Sequence, residues 1–231
     1  MACAHAENGV SKLHCRVCAA ITAACLTAGF FLALAHPLWP VLVASAFLGV
    51  VPLFAWRPWL GLLALPALLP LLNFAPWTGW LIVEEFDLLV LAVLAGGYFS
   101  IWRSGSDLRY ARALAWLATF AVCLIGWGMA DLSMREIGGF AGYTTPLNVL
   151  RVGKSLLWTA LLLPLVAASC DAVPRPQMLA RFFWASLLGS AWVVLAVMWE
   201  RAFYPGLLNV HTPYRTVGLF WEMHHGGATL D

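Results

Sequence analysis

From Val17 to Ala35 the chain reads VCAAITAACLTAGFFLALA, about 19 residues with no charged side chain. A helix of about 20 such residues spans the hydrocarbon of a bilayer. Inside lipid, backbone N–H and C=O groups must be satisfied within the segment, and an α-helix does this. Further apolar windows follow at Leu38–Trp56, Trp59–Phe74, Phe86–Trp102, Tyr110–Met129, Ser155–Ser169 and Phe182–Trp199. Of the 231 residues, 62% are hydrophobic and 10% are charged. Soluble domains carry roughly a quarter charged residues, so lipid is the solvent this chain requires. The expectation is an all-α, polytopic helical membrane protein. It forms a single domain over 1–231, with about seven transmembrane helices plus a partial eighth.

Lys12 and Arg16 precede the first window in the manner of a signal peptide. The run is longer than the ~7–15 residues of a signal core and leads directly into further windows, so it reads as a first span. Pro66 and Pro70 fall inside the third window and predict a kinked or broken helix. The Lys and Arg distribution sets the orientation. With residues 1–16 as a cytoplasmic tail, the inner side collects Lys12, Arg16, Arg57, Arg103, Arg109, Arg112, Arg175 and Arg181. The outer side collects Arg135, Arg151, Lys154, Arg201 and Arg215. Residues 200–231 then form an outer segment and the start of a truncated span.

A net charge of +2 with no basic run gives no footprint for nucleic acid. The six cysteines include one C-x-x-C, Cys15 to Cys18, without a second ligand pair to complete a metal site.

The polar chemistry gathers on the outer side. Glu84, Glu85 and Asp87 sit at the mouth of the fourth window. A carboxylate cluster there suits a solvated helix N-terminus, though it also suits a divalent cation or acid–base work. Asp87 differs from its neighbours because it lies at the edge of the apolar run. Arg151 and Lys154 are three apart and share a helix face, against the positive-inside bias. An anionic ligand, an acidic partner or interfacial snorkelling would each retain them.

The stretch YRTVGLFWEMHHGGATLD, from Tyr214 to Asp231, holds Arg215, Glu222, His224 and His225. On a helix Arg215 and Glu222 lie within about 20° of each other, and His225 follows on the same side. His224 points elsewhere. His211, Glu222, His224 and His225 have the composition of a zinc site, but their spacing matches no metalloprotease motif.

WERAFYPGLLN (Trp199–Asn209) followed by YRTVGLFWEMHHGGATLD resembles the bacterial O-antigen ligase and polymerase-like membrane family. So do EEFDLLVLAVLAGGY (Glu84–Tyr98) and LNVLRVGKSLLWTALLLPL (Leu147–Leu165). The signature is an Arg followed by Gly, a hydrophobic residue and Phe, here Arg215, Gly218, Leu219 and Phe220. The resemblance covers the chain from about Glu84 onward. It implies a glycosyltransferase of the bacterial inner membrane that uses an undecaprenyl pyrophosphate-linked glycan at the outer face, without metal or other cofactor. Arg215 is the pyrophosphate contact by motif position. Arg151 and Lys154 are candidates by charge and side, with Glu222, His225 and Asp87 as supporting polar residues. In that family the catalytic histidine belongs to a large outer loop further along. No catalytic residue is therefore assigned, and the chain is expected to be the N-terminal portion of such an enzyme, inactive by itself. The competing readings are a transporter or flippase for a lipid-linked or anionic substrate, and a non-catalytic membrane subunit.

Overall fold

A computed structural model of the protein describes residues 9–72, 83–105, 111–129 and 147–203. Among them are seven α-helices and no strand: α1 (Gly9–Leu34), α2 (Pro40–Trp56), α3 (Pro58–Leu72), α4 (Glu85–Ser104), α5 (Ala111–Met129), α6 (Leu147–Ala172) and α7 (Arg175–Phe203). Each apolar window contains a helix. Lys12–Leu34, Glu85–Ser104, Gly153–Ala172 and Arg175–Trp199 are long and apolar enough to cross a membrane, while Pro40–Trp56, Pro58–Leu72 and Arg112–Gly128 are apolar but shorter. Among the described residues, four candidate spans therefore follow from length and composition alone.

Several boundaries differ from the expected ones for one reason: charged residues interrupt hydropathy without ending a helix. The expected tail 1–16 is already helical from Gly9, and α6 begins eight residues before its apolar window. Arg175 and Arg181, expected in a loop, lie in the first turns of α7, because only Val173 and Pro174 separate it from α6. α3 continues as one α-helix through Pro66 and Pro70, so the expected break does not occur.

The contacts set an up-and-down arrangement. Arg181 lies over Trp59, and Gly189 meets Pro66, so α7 runs parallel to α3. Asp87 meets Lys154 and Trp158, and Tyr98 meets Leu161, so α4 and α6 are parallel. His36, just beyond α1, meets Glu85 at the start of α4, so these two are antiparallel. One end of the bundle then carries Lys12, Arg16, Arg57, Arg103, Arg112, Arg175 and Arg181 by helix position. The other end carries His36, Glu84, Glu85, Asp87, Arg151 and Lys154. These are called here the arginine-rich and acidic ends.

α4 is the axis of the bundle: every residue from Asp87 to Tyr98 is buried. Its Gly96 makes this possible, since a Cβ there would lie 2.8 Å from both the Ala55 nitrogen and the Val51 oxygen of α2. Backbone approaches backbone at that point, as small residues permit between helices in lipid. Gly189 of α7 plays the same part against the Pro66 carbonyl of α3. Pro70 has no N–H to offer that carbonyl four residues back, so the close approach of α7 covers a group that α3 itself leaves unpaired.

The outward faces are apolar. Trp127 is 87% exposed and Trp116 76%, and Val41, Leu179 and Phe31 are also open. Soluble monomers rarely expose apolar patches on this scale, whereas a bilayer covers them. Trp39, Trp127 and Trp199 lie toward the acidic end and Trp56, Trp59 and Trp102 toward the arginine-rich end, the two-belt placement of interfacial aromatics.

Candidate functional site at the acidic end

The site begins with how α4 starts. Asp87 is the third residue of the helix, where a carboxylate can fold back to the residue preceding the first turn. Its Oδ2 accepts the Glu84 N–H at 2.8 Å. The same oxygen receives Lys154 Nζ at 2.5 Å, and Oδ1 accepts Trp158 Nε1–H at 2.8 Å. Lys154 and Trp158 are four apart and therefore share one face of α6. Asp87 is 4% exposed. A lone carboxylate so buried is strongly unfavourable, and three donors with a compensating cation are what make it tolerable. The helix N-terminus adds a favourable partial charge.

Below this cluster the two helices stay in register. Tyr98 Oη–H donates to the Leu161 carbonyl at 2.8 Å, in the turn before Pro164, and Leu165 packs over Gly97. Beside it, His36 Nε2 lies 3.4 Å from Glu85 Oε1, while His36 Nδ1 accepts the Trp39 N–H. A small pocket is rimmed there by His36, Glu84 and Glu85.

Two of the residues read from the sequence, Asp87 and Lys154, are thus brought into direct contact. The charge of Lys154 is met by Asp87. Arg151 lies one turn ahead of Lys154 on α6. Arg215, Glu222 and His225 lie outside the described residues, as do His211 and His224. Glu84 and Glu85 occupy the start of α4 but are half-buried rather than solvated, and Asp87 is a buried clamp. Trp158 was not singled out by the sequence reading; the only signal for it is its four-residue spacing from Lys154. Cys18, from the C-x-x-C, is a buried free thiol in the core. Among the described residues no three His, Cys, Asp or Glu side chains gather as a metal site.

No protein-family model, curated protein or solved structure matches the chain. What the fold defines is an all-helical bundle with several membrane-length apolar helices, the mark of a membrane protein.

Proposed function

We propose that this chain forms the donor-binding part of a lipid-linked glycan transferase of the O-antigen ligase and polymerase kind. In this reading it acts at the outer face of a bacterial inner membrane on a glycan carried by undecaprenyl pyrophosphate. All seven helices cross, the N-terminus and the arginine-rich end face the cytoplasm, and the acidic end faces outward.

One observation carries the reading. The two resembling segments within the described residues are α4 and the first part of α6, and these two helices are pinned together by the buried Asp87–Lys154–Trp158 cluster. Polar groups inside a membrane bundle are expensive and tend to mark function. Lys154 then serves as a positioning residue, held by Asp87, rather than as a direct pyrophosphate contact. Arg151 on the same helix and Arg215 of the motif supply the cations for the pyrophosphate, since a guanidinium fork matches phosphate oxygens.

Transfer in membranes is the test. Vesicles carrying the intact gene product are given an undecaprenyl pyrophosphate-linked glycan and a lipid acceptor, and product is followed with time. Arg215→Ala is expected to lower transfer at least about tenfold, the worth of one charge-assisted hydrogen bond. Unchanged transfer would sink the assignment.

A further inference from the structure

Further along α6 from the clamp, toward the arginine-rich end, α3, α6 and α7 border an open groove of about 440 Å³. α7 turns away from α6 directly after Val173 and Pro174 and packs along α3. The divergence leaves the groove open. Leu62 and Leu65 line it from α3, Val166 from α6, and Met178, Leu179 and Phe182 from α7. Arg175 is its single charged lining residue.

We propose that this groove holds one anionic phospholipid of the arginine-rich leaflet, with an acyl chain along the apolar wall and the headgroup phosphate on Arg175. Three observations support a single occupant of this chemistry. The wall is apolar, so in a bilayer hydrocarbon fills it rather than water. Arg175 has no ion-pair partner among the described residues, whereas Arg57 and Arg181 at the same end lie over the Trp56 and Trp59 rings. Arg175 is also the first residue of the 29-residue α7, so the partial positive charge of the helix start adds to its own. A zwitterionic lipid offers the phosphate but cancels it with its own ammonium. A net negative headgroup should be preferred about fivefold. The inference rests on the membrane reading of the bundle and not on the transferase reading.

The test uses the full chain in detergent, with dioleoyl phosphatidylglycerol or dioleoyl phosphatidylcholine added, and counts bound lipid by native mass spectrometry. Wild type should retain phosphatidylglycerol about fivefold over phosphatidylcholine. Arg175→Gln should erase that preference, Leu179→Trp should lower retention of both lipids by filling the groove, and Arg103→Gln should change nothing. Equal retention of the two lipids by wild type would overturn the proposal, and this comparison needs no variant to fold. So would a preference that survives Arg175→Gln, or one that Arg103→Gln removes equally, since the latter would mean a general effect of charge.

Discussion

Lys154 Nζ of α6 lies 2.5 Å from Asp87 Oδ2 of α4, joining residues 67 apart in sequence, and the carboxylate is almost wholly withdrawn from solvent. A pair in this setting adds little net stability compared with an apolar replacement, but losing one member strands the other.

Lys154→Met leaves Asp87 buried and uncompensated and should destabilise the bundle by about 3–5 kcal/mol. The double variant Asp87→Leu/Lys154→Met should recover most of that loss. Unfolding midpoints in a fixed detergent, taken for wild type, both single variants and the double, measure the coupling. A double variant as unstable as the sum of the singles would show that the two residues act independently.

Trp158→Phe keeps the ring bulk and removes only the Nε1–H donor to Asp87 Oδ1. A hydrogen bond to a charged acceptor is worth about 1.5–3 kcal/mol, so the same unfolding assay should register a loss of that size. An unchanged midpoint would mean that the Asp87 carboxylate needs no indole donor.

Much of the fold was legible in the sequence, because a window of about 20 apolar residues has one structural solution in lipid. All seven helices sit where hydropathy places them. Their ends were not legible where Arg151 and Lys154, or Arg175 and Arg181, interrupt the apolar run while the backbone continues. Pro66 and Pro70 did not end α3. In water an unpaired carbonyl bends toward solvent, whereas here Gly189 of α7 covers Pro66. Hydropathy also cannot distinguish a lipid-facing helix from a protein-facing one, so the central place of α4 was hidden. At the site, the position of Asp87 at the edge of its apolar run was the readable signal. Its partners on α6 depend on long-range packing, and a tryptophan in a chain with 13 of them draws no notice.

Gly96 and Gly126 separate close packing from mere smallness. Gly96→Ala drives a Cβ against α2 backbone atoms that cannot rotate away, and should cost about 1–3 kcal/mol. Gly126→Ala meets nothing within 4 Å and should be neutral or stabilising by up to about 1 kcal/mol, through helix propensity. Unfolding midpoints for the two variants check this directly; equal effects would contradict the α2–α4 contact.

The proposed orientation, with the arginine-rich end in the cytoplasm, can be tested with reporters. A reporter fused after Asp171, at the arginine-rich end, should be active only in its cytoplasmic form. One fused after Gly142 should be active only in its exported form. The reverse pattern would place the acidic end in the cytoplasm and remove it from an outer-face donor.

A pyrophosphate site at the acidic end is tested by binding of undecaprenyl pyrophosphate to the full chain in nanodiscs, compared among wild type, Arg151→Ala, Arg215→Ala and Arg103→Ala. Arg151→Ala and Arg215→Ala should weaken binding at least about tenfold, as expected for loss of a charge-assisted phosphate contact, and Arg103→Ala, at the opposite end, should bind like wild type. Binding unaffected by Arg151→Ala and Arg215→Ala, or weakened equally by Arg103→Ala, would contradict a pyrophosphate site at the acidic end.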